Sequence, residues 1–190
     1  MSNLKIGFAM CGSFCTIANA LIQLKELKNK GYDIYPIVSP IVYSTNTRFT
    51  VAEELINTLE DICGHKVIHT VEDAEPIGPK KMFDILVVCP CTGNTLAKLA
   101  LGITDTAVTM AVKAHIRNNK PVVLALASND ALGTSAKNIG YLLNTKNYYF
   151  VPFSQDDPVL KERSMIADFN LLENTIKEAL VEKQIEPIIK

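Results

Sequence analysis

The sequence contains no tryptophan, no block of basic residues and no long run of apolar residues. A membrane-spanning helix needs about 20 consecutive apolar residues, and no stretch approaches that length. The first residues, MSNLKIGFAM, lack the apolar segment and small-residue cleavage site of a signal peptide. Because the formal net charge is only −1, neither a nucleic acid nor an anionic membrane surface is expected as a partner. We therefore expect a cytoplasmic protein with no nucleic-acid or membrane partner.

The cysteines and histidines do not form the pattern of a disulfide framework or a metal centre. The five cysteines are odd in number, and none belongs to a CxxC pair. The three histidines lie at spacings from the cysteines that match no common zinc motif. We expect reduced thiols and no metal site.

Apolar runs of strand length alternate with segments of helical periodicity along the 190 residues. This alternation indicates the α/β class: a doubly wound, Rossmann- or flavodoxin-like parallel sheet of about six strands with helices on both faces. The length predicts a single domain over residues 1–190, with an amphipathic C-terminal helix at about residues 165–182. The predicted strands are residues 5–10, 33–38, 66–69, 85–89, 121–127 and 148–152.

The stretch from Asp84 to Thr106, DILVVCPCTGNTLAKLALGITDT, is the most informative part of the sequence. Ile85–Cys89 is an apolar run rich in β-branched residues, typical of a strand buried on both faces. Pro90 is expected to end this strand because it lacks a backbone donor. From Thr95 onward the apolar residues fall at helical spacing. Ligands of open α/β sheets bind where strands end, so this turn is predicted to bind an anionic or hydrogen-bonding planar ligand.

Two other predicted strands end in similar small polar turns, Cys11-Gly12-Ser13 and Ser128-Asn129-Asp130. Because parallel strands end at one edge of a sheet, we expect all three turns to converge. The first turn has a single glycine instead of GxGxxG, which disfavours NAD as the cofactor. Hydroxyls at Ser13 and Ser39 with a helix N-terminus can hold one phosphate. The pattern predicts a mononucleotide such as FMN, with its ring near Cys91–Asn94.

Three segments, GFAMCGSFCT, PCTGNTLAKLALGITDTA and LALASNDALG, resemble motifs of the FMN-binding homo-oligomeric cysteine decarboxylase superfamily. The resemblance covers about residues 5–133 and implies a flavodoxin-like sheet with an FMN site. It also implies a homo-oligomer, often built from trimers, with the flavin at a subunit boundary. That boundary would account for the apolar segment Thr106–Ile116. The cofactor-binding residues predicted in this way are Gly12, Ser13, Phe14, Ser39, Pro90, Cys91, Thr92, Asn94 and Thr95.

The sequence departs from the decarboxylase pattern at two places. Those enzymes have a histidine before the central strand, and the corresponding residue here is Pro76. The third motif retains Asn129 but not the proline, methionine and tryptophan around it. An ordinary cysteine decarboxylase is therefore disfavoured.

A narrower resemblance is to the family of dipicolinate synthase B subunits from endospore-forming bacteria. It rests on the CGSFCT turn, the long loop after Ser39-Pro40 and the segment VPFSQDDPVLKERSMIADF, and it covers essentially the whole chain. It implies oxidation of dihydrodipicolinate, or of its hydrated tetrahydro precursor, to dipicolinate in the mother cell during sporulation. It also implies a dehydrogenase-like A subunit as partner, which would carry NADP, and a small dicarboxylate substrate.

Three residues are the candidate catalytic residues: Asn94, Asn129 and Arg48. The two asparagines are expected to hydrogen-bond flavin or substrate, and the Arg48 guanidinium can pair with a carboxylate through two hydrogen bonds. Other basic residues considered for such a carboxylate clamp are Lys98, Arg117 and Lys137.

Two alternative functions stay open on the sequence alone. One is a non-catalytic binding or regulatory module with a degenerate flavin pocket, and the other is an FMN-dependent cysteine-type decarboxylase that works without the histidine. Cys91 is interpreted as an ordinary small residue that lines a turn, because no adjacent base is visible. Cys11 and Cys15 are interpreted as small packing residues. His115, in an apolar helix, is interpreted as a core or interface residue.

Overall fold

A seven-stranded sheet flanked by helices forms the centre of the computed structural model, which describes residues 4–190. The strands are β1 Lys5–Met10, β2 Asp33–Val38, β3 Ile85–Cys91, β4 Val122–Ser128, β5 Tyr148–Phe150, β6 Phe153–Asp157 and β7 Lys161–Ala167. The helices are α1 Ile17–Asn29, α2 Pro40–Ser44, α3 Ala52–Cys63, α4 Val71–Ala74, α5 Gly93–Leu101, α6 Ala107–Ile116, α7 Ala136–Leu143 and α8 Leu172–Leu180. The predicted α/β class is confirmed, and five of the predicted strands are present as β1 to β5.

The strand order across the sheet is β2-β1-β3-β4-β7-β6, and β5 also pairs with β4. Strands β1 to β5 pair in parallel, whereas β6 and β7 form an antiparallel hairpin. Strand β4 changes partners along its length, because Val122–Leu124 pairs with β5 while Ala127 and Ser128 pair with β7. The hairpin therefore joins the sheet at the carboxyl end of β4, where the third polar turn begins.

Strand β3 is buried along its whole length. The prediction that Pro90 ends it was wrong, because the strand continues to Cys91 through a cis Cys89–Pro90 peptide bond. The register with β4 shifts between Val88 and Cys91, so the missing N–H of Pro90 falls where the ladder is already irregular. The Pro90 carbonyl accepts a hydrogen bond from the Cys11 N–H at 3.2 Å. This bond ties the end of β3 to the end of β1.

The predicted strand at residues 66–69 is wrong. A single isolated bridge joins Ile68 to Ile37 of β2. The Val38 N–H donates to the Ile68 carbonyl, and the Ile68 N–H donates to the Pro36 carbonyl, both at 2.9 Å. After these two bonds the chain leaves the sheet and reaches Thr70, whose side chain caps α4.

The final helix was predicted too long. Residues 165–167 belong to β7, residues 154–157 belong to β6, and α8 covers only Leu172–Leu180. The hairpin escapes the sequence pattern because its central residues are mostly polar and exposed. Met165 and Ile166 also continue the helical spacing of α8 by coincidence. Asp168 separates the two elements, since its carboxylate accepts from the Asn170 N–H and caps a short 3₁₀ turn.

Helix α6 is apolar because most of it is buried within the chain itself. It packs against α4, α5 and β3. Packing inside one chain thus accounts for its composition, and its role at a subunit boundary stays a prediction.

The central strands leave no space for a side chain at Gly7 of β1. A Cβ atom built there would lie 2.6 Å from a ring carbon of Phe83, which is fully buried. Real Cβ atoms do not approach other atoms so closely, so the ring or the strand would have to move.

We predict that Gly7→Ala lowers the free energy of unfolding by about 1–3 kcal/mol, the usual effect of overpacking a core. Urea unfolding measures the change. Gly140→Ala is the matched control, because no atom lies within 4 Å of the added Cβ in α7. There the same substitution should stabilise the protein by about 0.4–1 kcal/mol. Equal effects at both sites would contradict the packing of Phe83 on Gly7.

Candidate functional site

Two adjoining cavities lie at the carboxyl edge of the parallel strands and share Gly12, Thr92 and Asn94 in their walls. The Asn129 cavity has a volume of about 530 Å³ and is lined by residues of all three polar turns, the loop at 48–49 and Lys161 of β7. The Ser39 cavity has a volume of about 450 Å³ and is lined by the first two turns, residues 39–41, Lys98 and Thr106. The predicted convergence of the three turns is therefore confirmed.

The first turn lines both cavities through Gly12. The Ser13 N–H donates to the Cys11 carbonyl at 2.8 Å, which closes a tight turn. The Ser13 hydroxyl accepts from the Thr16 hydroxyl at 2.9 Å. A Cβ atom at Gly12 would lie 2.8 Å from a methyl carbon of Ile41, so glycine lets the loop after β2 approach the end of β1. Phe14 lines the Asn129 cavity next to this turn.

The second turn presents the N-terminus of α5 to both cavities. The first N–H groups of a helix have no acceptor within the helix. The Thr92 hydroxyl caps one of them by accepting from the Thr95 N–H at 3.3 Å. Within residues 4–190, the N–H groups of Gly93 and Asn94 have no backbone acceptor. Asn94 is exposed and lines both cavities. The Thr95 hydroxyl donates to the Cys11 sulfur at 3.2 Å, which joins this turn to the first.

The third turn places Asn129 and Asp130 in the wall of the Asn129 cavity. The Asn129 Oδ1 atom accepts from the Ser164 hydroxyl of β7 at 3.4 Å. The Ser128 hydroxyl donates to the Asp130 carboxylate and holds the pKa of that carboxyl below its usual value. This turn is therefore anionic at neutral pH.

Ser39 has a buried hydroxyl without a partner. Its N–H donates to the Met10 carbonyl at 3.0 Å, so the backbone is paired. Its Oγ atom is inaccessible to solvent and makes no hydrogen bond within residues 4–190. Leaving such a group unpaired costs about 1–3 kcal/mol, so these groups usually have a partner or a function. Ser39 lines the Ser39 cavity, so a rotation of its side chain would turn this hydroxyl toward a ligand there.

The candidate basic residues have different environments. Arg48 lies over the ring of Phe49 at 4.7 Å, and both line the Asn129 cavity. Lys98 lines the Ser39 cavity, but its ammonium contacts both carboxylate oxygens of Asp105 at 2.8 Å. Lys161 lines the Asn129 cavity and pairs with Asp156 at 2.6 Å. Lys161 was not among the predicted site residues because strand β7 was not predicted. Two of the basic residues line neither cavity, namely Arg117 and Lys137.

Cys11 and Cys91 are buried, whereas Cys15 lines the Asn129 cavity. Pro90 and Cys91 are fully buried and line neither cavity. Burial raises the pKa of the Cys91 thiol well above its usual value and that of Cys11 to about 11. Both thiols are therefore neutral, which for Cys11 agrees with its interpretation as a packing residue. For Cys15 that interpretation is wrong, because its side chain is exposed in the wall of the Asn129 cavity.

The position of the decarboxylase histidine lies outside both cavities. Pro76 lines a third cavity of about 700 Å³ together with His65 and His69, and this cavity shares no lining residue with the other two. His115 is buried, and its Nε2 atom contacts the Pro121 carbonyl at 3.1 Å. Its interpretation as a core residue is confirmed.

A family model described as Flavoprotein matches residues 1–179. The chain belongs to the flavoprotein family. This flavoprotein is 47% identical over 192 residues to the dipicolinate synthase B subunit of Bacillus subtilis (strain 168), covering 100% of this chain and 96% of the relative. The predicted resemblance is thus confirmed.

Solved structures show the same fold for the flavoprotein. The structure of the dipicolinate synthase B subunit from Bacillus halodurans C matches with a TM-score of 0.90 and 39% identity, covering 100% of this chain and 98% of the other. The FMN-dependent cysteine decarboxylase SpaF matches with a TM-score of 0.69 and 23% identity, covering 95% and 97%. The second likeness concerns the fold alone.

Within residues 4–190, no helix is both long enough and apolar enough to cross a membrane. The same residues contain no group of three or more histidine, cysteine, aspartate or glutamate side chains that could hold a metal ion.

The buried His115 predicts a pH dependence of stability. Burial lowers its pKa to about 4 in the folded protein, whereas an unfolded histidine titrates near 6.5. Between these values the unfolded chain binds the extra proton, so stability falls as the pH is lowered from about 6.5 to about 4, by up to about 3 kcal/mol. His115→Gln retains an N–H donor for the Pro121 carbonyl and should lose less stability over this range. Urea unfolding between pH 7.5 and 4.5 measures it, and an unchanged pH dependence would contradict the assignment.

Proposed function

We propose that this flavoprotein is the B subunit of a dipicolinate synthase, which oxidises dihydrodipicolinate or its hydrated tetrahydro precursor to dipicolinate together with a dehydrogenase-like A subunit. The identity over the full chain to the dipicolinate synthase B subunit of Bacillus subtilis supports this proposal. The name of that relative implies a partner subunit. We place the reaction in the cytoplasm of the mother cell during sporulation, and we assign NADP to the A subunit because the first turn lacks a dinucleotide motif.

The cofactor that fits the two cavities is FMN. The observation that supports this proposal most strongly is the buried hydroxyl of Ser39, which has no hydrogen-bond partner within residues 4–190. Ser39, Ser13 and the free N–H groups of α5 form a set of donors suited to one phosphate. Thr92 and Asn94 lie where the cavities meet and are suited to the edge of a flavin ring. Each cavity falls within the size range of ligand sites, about 300–1,000 Å³. Bound FMN would supply a hydride acceptor.

The substrate fits the cationic side of the Asn129 cavity. Arg48 and Lys161 both line this cavity, and they enter it from different parts of the chain. Arg48 belongs to no ion pair of residues 4–190. Its guanidinium is free to bind one carboxylate of a small dicarboxylate through two hydrogen bonds. Asn129 would then orient the ring between the cofactor and these cations.

We also propose a homo-oligomer, built from trimers, as in the superfamily that the motifs resemble. Exposed apolar side chains next to the site, Leu101 and Ile103, lie at the end of α5 and just after it, and they would be covered in such an assembly.

The cofactor assignment predicts opposite effects of one substitution on stability and on binding. Ser39→Ala removes a buried unpaired hydroxyl, so the protein without FMN should keep or slightly gain stability. FMN should bind about tenfold more weakly, because one hydrogen bond to a charged group is lost. Fluorescence titration with FMN and thermal unfolding measure the two quantities. Ser44→Ala is the control, since that hydroxyl donates to the Pro40 carbonyl at 2.9 Å and lines neither cavity. Unchanged FMN affinity in Ser39→Ala would contradict the proposed phosphate site.

The proposed reaction predicts that activity needs both subunits. Dihydrodipicolinate oxidation should be observed with the A and B subunits together and not with either alone. Single substitutions Ser13→Ala, Asn94→Ala and Arg48→Ala should each lower the activity of the pair by about 10- to 100-fold, the usual range for a lost polar contact to the reacting groups. If all three variants stay fully active while complex formation is required, a non-catalytic supporting module is the correct function.

A further inference from the structure

The two oxygens of the Asp130 carboxylate differ in their hydrogen bonds. The Ser128 and Ser135 hydroxyls donate to its Oδ1 atom at 2.6 and 2.9 Å. Within residues 4–190, all side-chain hydrogen bonds to this carboxylate fall on Oδ1, and no ion pair includes it. The residue lines the Asn129 cavity. Its Oδ2 atom is therefore available to a ligand.

The residues around Oδ1 of Asp130 are tightly packed against Gly93. A Cβ atom at Gly93, the first residue of α5, would lie 2.6 Å from the Ser128 Oγ, 2.7 Å from the Ser135 Oγ and 2.9 Å from Oδ1 of Asp130. Any other residue at position 93 would push the two hydroxyls and the carboxylate apart. Ser135 is itself buried, so its hydroxyl has a fixed position. The glycine and the two serines thus fix the direction of the carboxylate.

Among the described residues that line the two cavities, Asp130 alone carries a carboxylate. The other ionisable side chains of the Asn129 cavity are Arg48, Lys161 and Cys15, and Arg163 lies nearby, beside Gly133. Both lining cations are protonated at neutral pH, so neither accepts a proton there. The Ser128 hydroxyl lowers the pKa of Asp130, so this carboxylate is ionised at neutral pH and is a weak base.

We propose that Asp130 is the general base of the oxidation, which rests on the function proposed above. Forming the aromatic ring from the dihydropyridine requires the loss of two hydrogens from adjacent ring carbons. One C–H bond breaks with its electron pair, and this hydride passes to an oxidised flavin or nicotinamide. The other hydrogen leaves as a proton to Oδ2 of Asp130, and its electron pair becomes the new ring double bond. The ring is oxidised by two electrons, the acceptor is reduced by two, and the proton later passes from Asp130 to water.

The chemistry of the substrate favours a base of modest strength. A ring hydrogen next to an imine carbon or a carboxylate is acidified, and aromatisation drives the loss further. Arg48 and Lys161 in the same cavity would stabilise the negative charge that develops on the substrate. A carboxylate with a lowered pKa is ionised at the pH of the cytoplasm but is a weak base, so the proposed step depends on the acidity of this ring hydrogen.

The test uses Asp130→Asn in the reconstituted pair of subunits. The amide oxygen still accepts from Ser128 and Ser135, so folding and FMN affinity should stay within about twofold of the unmodified protein. Turnover should fall at least about 100-fold, the lower range for loss of a general base. Deuterium at the ring carbon that loses the proton should slow the variant more than the unmodified pair, because proton removal becomes rate-limiting. Asp130→Glu keeps a carboxylate and should retain more activity than Asp130→Asn.

Asp157→Asn is the matched control. Its carboxylate accepts from two N–H groups in the hairpin turn and lines neither cavity, so activity should be unchanged. Full activity of Asp130→Asn in an active pair would overturn the inference and leave the proposed function intact. Equal losses of activity and FMN binding in both Asp130 variants would also overturn it, since the role would then be structural. An unmodified pair that does not oxidise dihydrodipicolinate would overturn the proposed function itself.

Discussion

The site depends on one constraint: hydrogen-bonded parallel strands end at a common edge of their sheet. Strands β1, β3 and β4 lie side by side, and each ends in a short turn of small polar residues. The buried strand β3 holds the centre, because burial on both faces fixes its position and its register with its neighbours. Residues more than 100 positions apart, such as Gly12 and Asn129, consequently line a single cavity. The candidate site is therefore built mainly from short turns of small residues, with few long side chains.

The sequence predicts the parallel part of this arrangement well, because buried strands and amphipathic helices leave local periodic signals. Strand β7 leaves no such signal: its first residues are polar and exposed, and its last residues repeat the spacing of the following helix. Lys161, which this strand brings to the site, was therefore not predicted. The unpaired hydroxyl of Ser39 and the close approach of Gly93 to Asp130 depend on distances between separate segments of the chain. No local sequence pattern encodes such distances. Pro90 was misjudged because a proline is tolerated at an irregular point of a ladder.

The unpaired Ser39 hydroxyl and the glycine at position 93 both lower the stability of the fold, and both residues line a cavity. A buried hydroxyl without a partner costs about 1–3 kcal/mol in the folded protein, and a glycine at the start of a helix gives up the favourable propensity of alanine. Neither choice stabilises the fold, and both shape the cavities. Local rules of stability are typically broken at such positions where a ligand is bound.

The change of partner along β4 has a consequence for how such a site diversifies. Within residues 4–190, the hairpin of β6 and β7 pairs with the rest of the sheet through Ala127 and Ser128, and its tip, with Val159 and Leu160, projects into solvent. Over the same residues, β1 and β3 have no ladder pairing with this hairpin. Insertions or replacements in the hairpin are therefore expected to change the Asn129 cavity, which Lys161 lines, and to leave the Ser39 cavity unchanged. In this respect the two cavities are separable parts of the chain.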